Sequence, residues 1–456
     1  MAQKASIPKG TRDFLPAEVA KRSYVTDVIR TQFERYGFLP IQTPAMEKSS
    51  TLKGKYGDEG DRLMFNILNS GEKVKKADFN ALEKNALGQF TNSISDKALR
   101  YDLTVPFARF VVQHQNEIAF PFKRYQIQSV WRADRPQRGR YQEFTQCDAD
   151  IVGSVSPLLE AECIQLFDDV FNALSLEGAT IRINHRAILA GIANYLDAPD
   201  RIVDFTVALD KLDKIGTEGV FAELRNKGFD DAALNRLSPM FELSGDIISQ
   251  LDQLEEILAS QPNALEGIAH LRQTLSFLSP LKVSQLFLDL TLARGLNYYT
   301  GIIFEVAPPS AVAIGSLAAG GRYDDLTAVF GLIDMHGLGI SFGLDRLCIV
   351  LEELNLFPHT LEQAVDIVVL HFGDQYIQDL IPYFAKWRDM GIRINCYPLA
   401  HKLKKQMQFA NQTQAPWVIF YGNDEQQKGI VSLKNMHDGT NSEIKLEDFS
   451  KKFVAH

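Results

Sequence analysis

Long apolar runs are missing from this chain of 456 residues, and none reaches the roughly 18 consecutive apolar positions of a membrane helix. The start, Met1 to Lys9, lacks the apolar stretch of a secretory leader, so the expectation is a cytoplasmic protein with no membrane partner. Cysteine is scarce: Cys147, Cys163, Cys348 and Cys396 are scattered and form no C-x-x-C pair. That excludes a disulfide framework and a zinc knuckle, and no protein-held metal site is expected. Two phosphate-binding signatures are also missing. No G-x-x-x-x-G-K-[ST] loop occurs, the Gly54 to Gly60 stretch does not meet that pattern, and no G-x-G-x-x-G lies between a strand and a helix. Nor is there an excess of positive charge. With 48 Lys and Arg against 57 Asp and Glu, the net charge of -9 excludes a histone-like binder. It leaves room for an enzyme that grips one nucleic acid through a local basic surface.

What is present is the composition of a globular protein, 45% hydrophobic and 23% charged, in a chain long enough for two or three domains. Residues 17 to 36 carry helical periodicity through Tyr24, Val25, Val28, Ile29, Phe33 and Tyr36, with Gly37 as the stop. Pro44 breaks an extended stretch, Phe38 to Thr43. Asn69 to Lys97 is polar and weakly periodic and reads as an insertion or mobile loop. Strand-like runs follow at Lys123 to Trp131 and Tyr141 to Val152. A helical insertion is expected over 185–280, where Leu251, Leu254, Ile257 and Leu258 suit an amphipathic helix. Strand character returns at Leu286 to Leu292 and Ile302 to Val306, and a helix follows with Leu344, Leu347, Leu351 and Leu354 on one face.

Beyond Pro358 strands and helices alternate: strand Val365 to Phe372, helix Tyr376 to Met390, strand Ile392 to Tyr397, helix Leu399 to Asn411, then strands Trp417 to Tyr421 and Gly429 to Leu433. That predicts a small α/β domain with its own core. The expected division is 1–184 with 281–357 as a catalytic domain, 185–280 as the insertion and 363–456 as the α/β domain.

Four polar clusters carry the chemistry. Arg132-Ala-Asp-Arg-Pro-Gln-Arg-Gly-Arg140 places four arginines around one turn, and arginine's rigid fork suits phosphate and carboxylate. A solvated basic turn is the plain alternative. On the returning strand Phe144, Gln146, Asp148 and Asp150 share one face, a poor core but a good pocket floor. Any one of these carboxylates could instead cap a turn. Asp102 and Thr104, two apart in the extended run Leu99 to Pro106, are expected to share a face as well; with Gln146 and Asp150 they could hold an ammonium group and a polar side chain. Arg294-Gly-Leu-Asn-Tyr-Tyr-Thr-Gly301 combines charge, rigid hydroxyls and flanking glycines. Gly320-Gly-Arg-Tyr-Asp324 precedes Gly337-Leu-Gly-Ile-Ser-Phe-Gly-Leu-Asp-Arg346, where glycines would let a flat ring lie against a strand and Arg346 could meet a phosphate.

With these clusters in order, the chain resembles the histidyl-tRNA synthetases from end to end. Pro8-Lys-Gly-Thr-Arg-Asp-Phe-Leu-Pro16 is similar to the start of that family, and Pro44 sits where class II motif 1 places its dimer-interface proline. Arg100-Tyr-Asp-Leu-Thr-Val-Pro106 looks like the histidine-binding strand, Arg132 to Asp150 like motif 2, and Gly337 to Arg346 like motif 3. The Arg294 to Gly301 run is the most specific of these, and the class I runs H-I-G-H and K-M-S-K-S are absent.

The resemblance implies an α/β (α+β) fold: a class II catalytic domain with a mixed, mostly antiparallel sheet flanked by helices, a helical insertion and an anticodon-binding α/β domain. It implies ATP-dependent activation of L-histidine and transfer to tRNA(His) by a homodimer, with Mg²⁺ beside the ATP phosphates. By the same resemblance Arg132 and Arg294 are the catalytic cations. Asp102, Thr104, Arg132, Gln146, Asp150, Arg294, Tyr298, Tyr299 and Tyr323 bind histidine. Arg132, Arg140, Tyr141, Phe144 and Arg346 bind ATP, and Arg135 and Gln137 meet the tRNA acceptor end. His401-Lys-Leu-Lys-Lys405 offers a basic helix start to anticodon-arm phosphates, or a merely solvated face.

Two features depart from the family pattern: Asn297 replaces the usual Asp, and the Asn69 to Lys97 stretch is longer than in many members. The rival readings are a non-catalytic regulatory subunit of ATP phosphoribosyltransferase, a class II synthetase for threonine, proline or glycine, and an RNA-binding pseudo-enzyme.

Overall fold

The computed structural model describes residues 4–54, 60, 62–209, 211–281, 283, 285–293, 299–324, 326–362, 365–449 and 453. The chain divides into two compact units, Met1–Asp13 with Val25–Leu356 and Phe14–Tyr24 with Phe357–His456.

The strands of the first unit are β1 (Leu39–Pro40), β2 (Met46–Lys48), β3 (Asn66–Ile67), β4 (Lys97–Leu99), β5 (Phe122–Trp131), β6 (Glu143–Val152), β7 (Thr180–His185), β8 (Leu286–Leu288), β9 (Ile302–Ala307), β10 (Ala318–Tyr323) and β11 (Gly337–Gly343). Eight of them form one sheet in the order β1-β5-β6-β11-β10-β9-β7-β8. Its pairings are antiparallel except β1 with β5 and β7 with β8. This is the mixed, mostly antiparallel sheet that the family resemblance implied.

Strand alternation gives the sheet two unlike faces. On β6, Cys147, Ala149 and Ile151 are buried among apolar neighbours, while Phe144, Gln146, Asp148 and Asp150 line a cavity. On β11, Leu338 and Phe342 enter the core and Gly339, Ser341 and Gly343 line the same cavity. The core face is packed by the helix Pro157–Ala173, which Ser156 caps by accepting from Leu158 N and which starts on Pro157. From that helix Phe167 meets Phe342 edge-on and Phe171 meets it tilted, with ring centroids 5.3 and 5.9 Å away. The helix Pro16–Arg35 adds Phe33, 5.9 Å from the same ring. Three aromatic rings packed around Phe342 thus fill one side and leave the polar side of the sheet to form a site.

Helices occupy the stretch from Arg186 to Leu278, with Leu251, Leu254 and Leu258 fully buried. Elsewhere several expectations need correction. Asn69 to Lys97 is no structureless loop: it contains a 3-10 turn Gly71–Lys76 and the short helices Phe79–Glu83 and Leu87–Ile94. Asp78 caps the first helix by accepting from Ala81 N, and Phe79 meets Phe90 at 6.3 Å. Helices of five and eight residues are too short for periodicity to reveal.

The strand expected over Leu286 to Leu292 ends at Leu288, because Asp289 accepts from Thr291 N and Thr291 Oγ1 in a local turn. The run Leu99 to Pro106 is not extended throughout. β4 stops at Leu99, Asp102 Oδ1 accepts from Val105 N at 3.1 Å, and Thr104 opens the helix Thr104–His114. A short acceptor side chain has turned the chain into a helix where side-chain spacing suggested a strand.

The second unit carries a separate sheet of β12 (Ile367–His371), β13 (Ile394–Cys396), β14 (Trp417–Tyr421), β15 (Ile430–Asn435) and β16 (Asn441–Lys445). Its order is β13-β12-β14-β15-β16, parallel across the first three and antiparallel beyond. Buried residues lie on both faces. Val369 and Ile419 pack with Trp387, and Val368 and Val418 with Ala410. The helix expected from Leu399 begins at Leu403, and Lys402, Lys404 and Lys405 at its start are exposed.

Candidate active site

A cavity of about 700 Å³ opens on the polar face of the eight-stranded sheet. Of the residues singled out from sequence, Asp102, Thr104, Arg132, Arg140, Tyr141, Phe144, Gln146, Asp150, Tyr299, Tyr323 and Arg346 all line it. Although Asp102 and Thr104 do not share a strand face, the turn into the helix still delivers both to the cavity. Arg135 and Gln137 do not line it; they sit exposed on the turn where Gln137 bridges to Arg140. Arg294 and Tyr298 lie outside the described residues, as does Asn297.

One half of the cavity is acidic and buried. Arg124 on β5 faces Asp150 across the hairpin, and its Nη2 stands 2.6 Å from Asp150 Oδ2. The hydroxyl of Tyr323 donates to Asp150 Oδ1 at 2.6 Å, so the carboxylate is gripped at both oxygens. Gln146 Nε2 donates to Ser341 Oγ at 3.1 Å and approaches Asp148 Oδ1 at 3.5 Å.

Burial pushes the Asp148 carboxyl up to about 7; Arg124 and the Ser341 hydrogen bond pull the other way, while Asp150 and Asp102 add to the rise. Burial raises Asp150 too, against the opposing pull of Arg124 and Tyr323. The Tyr299 hydroxyl is held protonated by burial and by the charges of Asp150, Asp148 and Asp102. Three carboxylates around one buried arginine make a pocket suited to a cationic, hydrogen-bonding ligand.

The glycines of β10 and β11 make this packing possible. A Cβ on Gly339 would stand 2.2 Å from Asp150 Oδ1, and one on Gly337 2.1 Å from the Tyr323 ring. A Cβ on Gly321 would stand 2.8 Å from the ring of Tyr299, also too close for a side chain. The flat rings accommodated at these two glycines are therefore the chain's own tyrosines.

The other half is basic. Arg132 lies between two rings, 4.4 Å from the Tyr101 centroid and 5.1 Å from that of Phe144, and its Nε donates to Tyr101 O at 3.0 Å. Arg346 donates from Nε to Gly139 O at 3.2 Å and from Nη1 to Ser316 O at 2.7 Å. Gly139 itself has φ +70°, and a Cβ there would meet Ile314 at 2.9 Å. The two cations are thus held in place by backbone oxygens and, at Arg132, by two aromatic faces. Among the described residues no group of three His, Cys, Asp or Glu could hold a metal ion.

Sequence reading assigned no role to Arg124, Ser341, Asp345 or Arg12, all of which bear on the cavity. Arg124 could have been found from the hairpin register, since Arg124 pairs with Asp150 and opposed residues share a face. Nothing local announces Asp345, whose partner Arg12 is 333 residues away.

Comparison with known proteins shows the family. A family model described as histidyl-tRNA synthetase matches residues 85–347, and one described as an anticodon binding domain matches 365–456. A histidine–tRNA ligase of Christiangramia forsetii is 54% identical over 452 residues, covering 99% of each chain. One of Flavobacterium johnsoniae is 50% identical over the whole of both chains. The crystal structure of a histidyl-tRNA synthetase from Nostoc sp. PCC 7120 superposes with TM-score 0.84 at 28% identity, covering all of both chains. A Bacillus halodurans structure described as an ATP phosphoribosyltransferase regulatory subunit/histidyl-tRNA synthetase superposes with TM-score 0.75 at 20% identity, a likeness of fold alone. Full-length relatives named as ligases leave the regulatory alternative unfavoured. A match over more than half its length, and relatives at half identity from end to end, place this chain in the histidyl-tRNA synthetase family.

Proposed function

We propose that the single cavity performs both half-reactions of the family's ligase activity, with histidine in the acidic half and ATP in the basic half. The observation that carries this reading is the meeting, in one 700 Å³ space, of Asp102, Asp148 and Asp150 with Arg132, Arg140 and Arg346. In the first step the histidine carboxylate attacks the α-phosphate, the bond to the β-phosphate oxygen breaks, and pyrophosphate leaves. In the second a ribose hydroxyl of the tRNA's terminal adenosine attacks the activated carbonyl, loses its proton, and AMP departs.

Asp102, Thr104 and Gln146 receive the α-ammonium, a role to which the buried, unpartnered Gln146 Oε1 is suited. Asp150, Tyr299 and Tyr323 read the imidazole. A site whose buried groups need both ring nitrogens discriminates by on the order of 10⁴ against amino acids that lack them. Arg132 spans the histidine carboxylate and α-phosphate, Tyr141 and Phe144 flank the nucleotide, and Arg140 and Arg346 hold the outer phosphates. By the family resemblance Arg294 adds a further cation at the α-phosphate and Tyr298 a further contact to histidine.

By the family resemblance Mg²⁺ enters bound to the ATP phosphates. Arg135 and Gln137, exposed on the motif 2 turn, face the tRNA acceptor end, and 363–456 with its exposed lysines reads the anticodon arm. Residues 1–184 with 281–357 form the catalytic domain and 185–280 the insertion. By the family resemblance the enzyme works as a cytoplasmic homodimer; none of its four cysteines is in a disulfide. Sedimentation tests the dimer.

Charge that builds on the phosphoryl oxygens in the first step is met by preorganised arginine, whose loss costs roughly 10²–10³ in rate. Rapid-quench adenylation by Arg132→Ala should slow by about that factor. A near-normal single-turnover rate would remove Arg132 from the chemistry and with it this reading of the basic half.

A further inference from the structure

The Pro8 to Pro16 segment has so far been only a family signature, yet its Gly10 and Arg12 contact residues in and beside the basic half. Gly10 O accepts from Gln142 N at 2.8 Å, and Gln142 O in turn accepts from Arg132 N at 2.9 Å. Gly10 has φ +85°, and a Cβ there would stand 2.6 Å from the Gln142 side chain and 3.0 Å from Pro136. The strap therefore lies hard against the chain that carries Arg132 and Arg140.

Two residues on, Arg12 reaches two cavity-lining groups at once. Its Nη2 donates to Asp345 Oδ1, and its guanidinium sits 3.6 Å from the centroid of the Tyr141 ring. Asp345 is almost fully buried and also receives a weak hydrogen bond from Thr145 N at 3.4 Å. Asp345 stands next to Arg346 in sequence at the first turn of the helix Leu344–Glu353, and Tyr141 next to Arg140.

We propose that Arg12 is a positioning residue for ATP: it locks the motif 2 turn to the first turn of the motif 3 helix and neutralises Asp345. An unpaired carboxylate at this place would compete with the triphosphate for Arg346 and Arg140 and repel the incoming phosphates. Arg12 removes that competition by taking the Asp345 charge from behind, and its flat face fixes Tyr141 beside Arg140. The inference rests on the assignment of ATP to the basic half.

The test is pyrophosphate exchange by the full-length enzyme with Arg12→Ala, Arg12→Lys, Asp345→Asn and the Arg12→Ala/Asp345→Asn pair, with Arg346→Ala as the control for the ATP assignment. Loss of one charge-assisted contact predicts a KM for ATP raised about tenfold in Arg12→Ala. The KM for histidine should stay within about twofold, since the acidic half does not touch Arg12. Arg12→Lys, which keeps the charge but not the flat fork, should fall between, and the double variant should be less impaired than the two single effects multiplied.

If Arg12→Ala leaves the KM for ATP unchanged while Arg346→Ala raises it, the positioning role is wrong and the ATP assignment stands. If neither moves it, both fall. An equal rise in both KM values, or a loss that tracks melting temperature across all variants, would show a merely structural strap and overturn the proposal.

Discussion

Arg124 Nη2 and Asp150 Oδ2 stand 2.6 Å apart at 0% and 2% exposure, with the guanidinium 4.3 Å over the Phe107 ring. A charge pair so deeply withdrawn from water contributes little net stability when intact but is costly to break, because the survivor is left uncompensated. Here the survivor would be one of two adjacent buried carboxylates. Arg124→Met should therefore destabilise the unit that carries the cavity by about 3–5 kcal/mol. Adding Asp150→Asn to Arg124→Met should restore part of that loss. Thermal unfolding of both variants checks this, and an unchanged transition in Arg124→Met would contradict it.

Tyr323 holds the second oxygen of the same carboxylate. Tyr323→Phe keeps the ring that fills the space over Gly337 and removes only the hydroxyl. A hydrogen bond to a charged group is worth about 1.5–3 kcal/mol, which translates into a loss of roughly 10–150-fold in kcat/KM for histidine. The KM for ATP should not move. Steady-state exchange kinetics with each substrate varied in turn separate the two.

Asp148 supplies a pH signature. Its carboxyl is pushed up to about 7 in the folded chain against an ordinary value of 3.8. Between those values the folded state binds more protons than the unfolded state, so stability falls as pH rises from about 4 to about 7 and levels off above. Binding of an ammonium group favours the ionised form, so kcat/KM for histidine should rise as pH passes through about 7. Free histidine loses its own imidazole proton over part of that range, so the comparison is with Asp148→Asn at each pH. The variant should show a flatter profile and lose the fall in stability; superimposable profiles would remove Asp148 from the histidine site.

Much of this site is legible in the amino-acid sequence. The period-2 alternation of β6 put Gln146 and Asp150 on one face, and the arginine-rich turn pointed to phosphate, because both signals are local. What escaped was non-local. Arg124 acts only through its register with Asp150, and Arg12 only through a fold that closes 333 residues of chain. Asp102 misled in a different way: its spacing to Thr104 suggested a strand, but its carboxylate reached Val105 N and started a helix. β7 and β10 passed unrecognised: β7 alternates through Ile181 and Ile183 but is only six residues long beside a helical stretch, and glycine-rich β10 shows no apolar alternation.

The central claim is that one cavity activates histidine and no other amino acid with ATP. Exchange of labelled pyrophosphate into ATP, run without tRNA for each of the twenty amino acids, tests it most directly. The account predicts exchange with histidine alone, and none with histidine once Asp150 is replaced by alanine. Exchange with another amino acid at a comparable rate, or none with any from folded protein, would contradict it.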